Sequence, residues 1–114
     1  MDHIETLTGL RDELRAFCAE RDWHRYHTPK NLAMALIVEA AELVEHFQWA
    51  TAEESLALAP EKLADVRDEV ADTFIYLLEL ADVLGIDLIA AARDKMAKNA
   101  VKYPPPAESS RNVG

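Results

Sequence analysis

The stretch NLAMALIVEAAELV, residues 31–44, carries only two charged side chains, Glu39 and Glu42, among largely apolar neighbours. A Thr-Pro pair just before it supplies an N-cap and a proline suited to the first helical position. We therefore predict a helix over about residues 29–49. Because this helix is apolar on nearly every side, we expect it to be buried on most of them.

Apolar residues recur every three or four positions on both sides of this stretch, which predicts further amphipathic helices. Thr51 and Glu54 have the spacing of a capping box. Gly85 is suited to a left-handed C-cap, and Asp87 to an N-cap. The predicted elements are a helix over about residues 3–21, the helix over 29–49, a short helical turn over 52–58, a long helix from Pro60 to Leu84 and a fourth long helix over about 88–102.

The chain shows no alternating strand pattern, internal repeat or low-complexity tract, which favours an all-α fold. Residues 1–103 are predicted to form one domain, and residues 104–114, which open with three prolines, a mobile tail. A chain of this size buries only about two-thirds of the surface that its unfolded form exposes. We therefore expect a four-helix-bundle-type core that is completed by dimerisation.

The 114 residues include 12 basic and 21 acidic side chains, a formal net charge of −9. Such a surface repels phosphate backbones and anionic lipids, so neither nucleic acid nor a membrane is expected as a partner. No apolar run is long enough to span a bilayer, and no secretory signal is recognisable. The lone cysteine, Cys18, excludes an intramolecular disulfide and fits a reducing compartment, so we expect a cytoplasmic protein.

The negative charge is concentrated in the middle of the chain. Residues 31–92 contain 13 acidic and two basic side chains, a local net charge of −11. Two pairs of acids in this region are spaced three apart, so each pair shares one face of its helix. Mg²⁺ prefers carboxylate oxygens that converge from more than one element. The candidate metal ligands are Glu39, Glu42, Glu69 and Asp72.

Spacing alone is weak evidence, because the chain has six acid pairs three apart and most such pairs are solvated. Glu39 and Glu42 differ in lying among apolar residues, where ionised carboxylates cost several kcal/mol each without compensation. A bound cation is the simplest compensation, and a basic side chain from another helix is the alternative. The sequence lacks the Glu-x-x-His pairs of di-iron bundles, which argues against that class of site.

Further motifs occur in a fixed order around these acids. They are Glu20-Arg-Asp-Trp23, His27-x-Pro29-Lys30-Asn31-Leu32, Phe47-Gln48-Trp49, Ile75-Tyr76-Leu77 and Lys95-Met96-x-x-Asn99-x-x-x-Tyr103-Pro104. Together with the acid pairs, they resemble the signature of the all-α nucleoside triphosphate pyrophosphohydrolases, the MazG-like and dUTPase superfamily, and in particular its dCTP pyrophosphatase branch. The resemblance spans about residues 7–104.

The resemblance implies hydrolysis of a nucleoside triphosphate between its α and β phosphates, with dCTP or a modified dCTP as substrate. It implies Mg²⁺ as cofactor, with Mn²⁺ as a substitute, and a homodimer or homotetramer. The four acids would then be both metal ligands and catalytic residues. Without the resemblance, a second interpretation stays open, a non-catalytic helical dimerisation module whose central acids pair with a basic partner.

The resemblance also implies substrate contacts. Two tryptophans match family positions whose rings sandwich the base, and the other matching residues are candidates to contact base, sugar or phosphate. These residues are Trp23, His27, Asn31, Trp49, Tyr76, Lys95 and Asn99. Residue chemistry alone leaves core packing open for the aromatic side chains. Leu14 departs from the eukaryotic dCTP pyrophosphatases, which carry a His there, so the base preference is left open.

Overall fold

A computed structural model describes residues 6–107, and over that range the chain forms α-helices and no strand. The helices are α1 (Leu7–Glu20), α2 (Pro29–Glu45), α3 (Ala52–Ser55), α4 (Pro60–Val83) and α5 (Leu88–Lys102), with a 3-10 turn at His24–Tyr26 between α1 and α2. The predicted all-α fold is confirmed. Residues 108–114 of the predicted tail lie outside the described residues.

Side-chain caps determine where most of these helices begin. At the start of α1, α2, α3 and α5, a side-chain oxygen accepts a hydrogen bond from the backbone N–H three residues later. The capping residues are Thr6, Thr28, Thr51 and Asp87. At α3, the Glu54 carboxylate accepts from the Thr51 N–H at 2.8 Å, which completes the predicted capping box.

Three helix boundaries differ from the prediction, and one of them is that α3 ends at Ser55, where the predicted turn extended to residue 58. The helix α1 begins at Leu7, because the backbone of Thr6 is extended and cannot continue the helix; the predicted residues 3–5 lie outside the described range. The helix α2 ends at Glu45 rather than near residue 49. Beyond that point, the N–H groups of His46 and Phe47 bond to carbonyls three residues back, which tightens the chain into turns.

The end of α1 is shaped by Asp22, whose φ of 54° lies in the left-handed region. The Trp23 N–H donates to the Cys18 carbonyl at 3.0 Å, and the Asp22 N–H donates to the Ala19 carbonyl at 3.1 Å. This arrangement is the Schellman motif that ends many helices, with aspartate in a position where glycine is more common. It reverses the chain and places Trp23 against α1.

The core of the described chain lies where α2 and α1 pack on α4. Leu32 on α2 and Leu78 on α4 are almost completely buried. The Arg15 guanidinium on α1 donates to the Asp82 carboxylate on α4, with Nε–Oδ2 at 2.8 Å, and this contact lowers the pKa of Asp82. The long helix α4 therefore organises the fold, and α1 and α2 present their side chains along it.

The prediction that the central helix is buried on most sides is wrong for the single chain. One face of α2 packs on α4, but a stripe on its opposite face is open to solvent. Its side chains recur with helical spacing at Met34, Ile37, Val38 and Val44, and their exposed fractions are 55–65%. The amino-acid pattern shows that this surface is apolar, whereas nothing in residues 6–107 of the same chain covers it.

A second apolar stripe runs along α4, again with helical spacing. Leu63, Val70, Phe74 and Leu77 expose between 38% and 56% of their surface. The helix α5 is exposed throughout except at Leu88, which is half-buried. Large exposed apolar patches mark interaction sites, and these two stripes are candidates for one. Within residues 6–107, no helix is long and apolar enough to cross a bilayer.

The predicted C-cap at Gly85 is confirmed, with φ at 69°. A Cβ built at this position meets no heavy atom within 4 Å, so a substitution acts through the backbone alone. We expect Gly85→Ala to lower the free energy of unfolding by about 1–2 kcal/mol, the cost of an L-residue in this conformation. Gly85→Asn should cost less, because asparagine tolerates the left-handed region better. If urea unfolding showed the same loss of unfolding free energy for Gly85→Ala and Gly85→Asn, this explanation would be contradicted.

Candidate active site

The side-by-side packing of α2 and α4 brings the predicted acids together. Glu39 from α2 and Glu69 and Asp72 from α4 each offer one carboxylate oxygen within 4.8 Å of the others. Glu42 lies within hydrogen-bonding reach of Glu69. We call these four residues the acid cluster. Its members come from two helices, as a shared cation site requires.

The electrostatics of the acid cluster centre on Glu69. A hydrogen bond with Glu39, followed by burial and by a hydrogen bond with Glu42, raises the pKa of Glu69 to about 7. The Glu69 Oε2 atom is buried and has no hydrogen-bond partner. Over residues 6–107, no Lys or Arg forms a salt bridge with the cluster, so the alternative of a basic side chain from another helix finds no support within the described chain.

This donor set fits a hard divalent cation. All the available ligand atoms are carboxylate oxygens, which Mg²⁺ prefers, and Mg²⁺ keeps several waters of its own in such sites. The buried Oε2 of Glu69 has no hydrogen-bond partner, and a bound cation or an ordered water would satisfy it. Glu39 and Glu69 are half-buried and Asp72 is exposed, so the cluster remains open to an incoming substrate.

A cavity of about 410 Å³ adjoins the acid cluster, with Asp72 in its wall. We call it the α1–α4 cavity, because side chains from these two helices form most of it. Its lining includes Leu10, Leu14, Phe17, Trp23, His27 and Tyr76. A volume of several hundred Å³ with mostly apolar walls is typical of small-molecule sites.

Three of the predicted substrate contacts line this cavity. The Trp23 ring, 43% exposed, packs edge-on against Phe17 with ring centroids 5.7 Å apart. Tyr76 lies one turn beyond Asp72, and burial followed by the charges of Glu39, Glu79 and Asp72 raises its pKa. His27 is the third predicted contact in the cavity wall. Leu14, the departure from the eukaryotic pattern, is also a wall residue.

The other predicted contacts lie elsewhere in the single chain. The Asn31 side chain donates to the Tyr26 carbonyl at 2.9 Å and so holds the turn before α2. Trp49 is 90% exposed and borders a different surface depression beside Glu45 and His46. Lys95 and Asn99 are exposed on α5. The described chain therefore does not bring the two tryptophans into one cavity.

Sequence reasoning missed Glu79 and Cys18. Glu79 is a buried carboxylate in the wall of the α1–α4 cavity, and Cys18 donates to it from α1. The spacing contained a usable signal, because Glu69, Asp72, Tyr76 and Glu79 follow one helical face. Glu79 and Asp82 form one of the six acid pairs spaced three apart, a pattern that usually indicates a solvated face, and the burial of Glu79 depends on how α1 packs across α4.

Comparisons with known proteins agree with this arrangement. The MazG-like family matches residues 34–112. The dCTP pyrophosphatase 1 proteins of Bos taurus and Homo sapiens are 42% and 41% identical over 101 residues, which is 87% of this chain. The chain spans about 60% of the length of these curated relatives.

A solved structure gives a nearly full-length comparison. The crystal structure of a pyrophosphatase from Archaeoglobus fulgidus has a TM-score of 0.82 and 44% sequence identity, and the match covers 92% of this chain and 95% of that one. The family match covers more than half of the chain and the structural match nearly all of it. The chain belongs to the MazG-like family.

Proposed function

We propose that this protein hydrolyses a deoxynucleoside triphosphate between the α and β phosphates, releasing the monophosphate and pyrophosphate, with dCTP or a modified dCTP as leading substrate. The observation that carries the proposal is the contact between the acid cluster and the α1–α4 cavity through Asp72. A triphosphate can then lie at the acids while its base enters the cavity. The names of the dCTP pyrophosphatase 1 relatives support this choice of reaction and substrate.

The acids of the cluster would hold Mg²⁺, for which Mn²⁺ would substitute. When bound, the metal supplies charge neutralisation for the phosphates and a water of lowered pKa. Glu39, Glu42, Glu69 and Asp72 position that chemistry at the mouth of the cavity. One carboxylate of the cluster accepts the proton of the attacking water, as general base.

The cavity walls would hold the nucleoside. An indole face offers strong, sequence-tolerant stacking for a base, and Trp23 presents an accessible ring in the α1–α4 cavity. Tyr76 lines the α1–α4 cavity, and the charges of Glu39 and Asp72 act on its hydroxyl. It is suited to hydrogen-bond the sugar or a phosphate. Lys95 and Asn99 would have to contact the nucleotide from outside the α1–α4 cavity, because they are exposed on α5.

We propose further that the chain self-associates as a homodimer, or as a tetramer of dimers, through the apolar stripes of α2 and α4. These stripes expose large aliphatic and aromatic side chains that water solvates poorly. Trp49 supports the same idea, because it is 90% exposed and outside the cavity of its own chain. A second copy is the simplest source of a tryptophan opposite Trp23.

A cytoplasmic location is part of this proposal, since nucleotide pools and reduced thiols occur together there.

The decisive assay measures pyrophosphate release from dCTP, 5-methyl-dCTP, dUTP, dTTP, dATP and dGTP with Mg²⁺, with and without a chelator. We expect turnover of at least one substrate, highest for the cytosine nucleotides, and its complete loss on chelation. Restoration by excess Mg²⁺ controls for damage by the chelator. Absence of pyrophosphate from every nucleotide would overturn the proposal and favour the non-catalytic dimerisation module.

A further inference from the structure

A second group of potential ligands lies apart from the acid cluster. Cys18 from α1, His27 from the segment before α2 and Glu79 from α4 each offer one ligand atom within 4.8 Å of the others. The Cys18 Sγ lies 3.1 Å from Glu79 Oε1, and His27 Nδ1 lies 3.7 Å from Glu79 Oε2. We call this group the thiol cluster. Three separate elements of the fold meet in it.

Two of the three members of the thiol cluster are buried, and the third, His27, is half-buried. Cys18 is 2% exposed and Glu79 is 9% exposed. The Cys18 thiol satisfies Glu79 Oε1, but the buried Oε2 has no hydrogen-bond partner. The His27 nitrogen, 3.7 Å away, is too far for a hydrogen bond to that oxygen and pairs with it by charge only when the imidazole is protonated. An unpartnered carboxylate oxygen in such a place is costly unless a ligand meets it.

A buried carboxylate oxygen without a hydrogen-bond partner occurs at two places in the described chain. The buried side-chain oxygens without a partner over residues 6–107 are Oε2 of Glu69 and Oε2 of Glu79. The first lies in the acid cluster and the second in the thiol cluster. The chemistry differs, because the acid cluster offers oxygen alone whereas the thiol cluster offers sulfur, nitrogen and oxygen. Hard Mg²⁺ suits the first set, and a borderline-soft ion suits the second.

We propose that Cys18, His27 and Glu79 bind a transition-metal ion, Zn²⁺ in the first instance, at a site distinct from the acid cluster. Thiolate, imidazole and carboxylate are the ligands that Zn²⁺ takes in proteins, at about 2.0–2.3 Å. Ligand atoms about 3–4 Å apart are the edges of such a coordination shell. The 3.1 and 3.7 Å distances run to different oxygens of Glu79, and the three ligand atoms of the set lie within 4.8 Å of one another, so the side chains would move inward by about 1 Å to receive the ion.

Binding of the metal ion displaces one proton from the protein. The Cys18 S–H bond breaks, a Zn–S bond forms and the proton leaves to solvent, while His27 and Glu79 bind through lone pairs. Burial, followed by the hydrogen bond to Glu79, raises the pKa of the Cys18 thiol to about 12, so the free protein keeps this proton. His27 and Glu79 line the α1–α4 cavity, which gives water access to a fourth coordination position.

The ion would cross-link three parts of the fold. It would join α1, the segment that follows Trp23, and α4, which otherwise meet through few side chains such as Arg15 and Asp82. Because Trp23 lies between Cys18 and His27 in the chain, this cross-link would also fix one wall of the α1–α4 cavity. This inference does not depend on the proposed hydrolase activity, since its metal ligands are not members of the acid cluster, although His27 is also a candidate substrate contact.

The test uses Co²⁺ as a spectroscopic substitute, added to the full-length, reduced, chelator-stripped protein in excess Mg²⁺. We expect one equivalent to produce a thiolate-to-cobalt charge-transfer band and tetrahedral visible bands, both abolished by Zn²⁺. The chain has a single cysteine, so the wild-type charge-transfer band reports on Cys18 alone. Absence of the band would overturn the proposal even if every variant failed to fold.

Variants then identify the other ligands. Cys18→Ser should remove the charge-transfer band, and Glu79→Gln and His27→Ala should weaken Co²⁺ binding at least tenfold. Glu13→Gln, which changes another acid of the same cavity, should keep both the bands and the affinity. Free Zn²⁺ a hundredfold above its Kd should raise the melting temperature by roughly 10 °C in wild type. An equal rise in Cys18→Ser would contradict the site.

Discussion

Glu39→Gln is expected to reduce pyrophosphate release by about 10²–10³-fold, the scale seen when one essential electrostatic contact is removed. The amide keeps the volume of the carboxylate but removes a charge that the metal requires. The same change should leave the fold intact, since Glu39 is only half-buried and lies beside like charges. The measurements are kcat/KM with Mg²⁺ and thermal unfolding in a chelator.

The stability effect of this variant has a definite pH dependence. Glu39 is the first cause of the raised pKa of Glu69, about 7 in the folded protein. A carboxyl with a raised pKa favours the fold while protonated, and that contribution is lost as the pH rises from its ordinary value through about 7. Glu39→Gln should therefore stabilise the metal-free protein at pH 8 and have little effect at pH 4.

Glu45→Gln is the matched control, because it makes the same change three residues beyond Glu42 on the same helix. Glu45 is exposed and borders the surface depression beside Trp49 instead of the acid cluster. We expect its activity to stay within about twofold of wild type, as for surface changes away from such features. Wild-type activity in Glu39→Gln would exclude the acid cluster as the metal site.

Local signals in the sequence predicted the helices well because caps act over three or four residues. Thr28, Thr51, Gly85 and Asp87 each fix a boundary through their own side chain or backbone conformation. The miss at the end of α2 has a different origin. Phe47 keeps the helical spacing of the apolar residues Leu43 and Val44, yet the chain turns there to reach α3, and periodicity does not record such a turn.

The candidate site, like the helices, could be predicted from local spacing only in part. Helical spacing placed Glu69, Asp72 and Tyr76 on one face, and a bound cation was inferred from the apolar surroundings of Glu39. Which α2 residue lies opposite which α4 residue depends on the register of packing, and this is a property of the folded chain. The burial of Glu79 under α1 depends on that same packing, which explains why the thiol cluster was not predicted.

The exposed stripes show a third kind of limit. The pattern of α2 indicated a helix apolar on nearly all sides, but it could not say whether the covering surface belongs to the same chain. In the single chain, Ile37 is 65% exposed and Val44 is 61% exposed. Full burial of such side chains is worth about 1.5–3 kcal/mol each, so a stripe of them strongly favours a partner surface.

Ile37→Glu is therefore expected to abolish the proposed self-association and, with it, most of the activity. A glutamate at the centre of an apolar interface would be desolvated without a partner charge, at a cost of several kcal/mol per copy. Loss of the partner would also remove the second tryptophan that we propose for the base site. Sedimentation equilibrium should show a monomer at concentrations where wild type is a dimer or tetramer, and pyrophosphate release should fall at least tenfold.

Leu56→Glu provides the control for this experiment, since Leu56 is 88% exposed but lies just after α3, outside both apolar stripes. It should keep the oligomeric state and the activity of wild type, because the new charge stays in water. A monomeric wild-type protein would contradict the proposed assembly directly. A dimeric Ile37→Glu variant would show that the α2 stripe is not part of the interface, and attention would move to Leu63 and Val70 on α4.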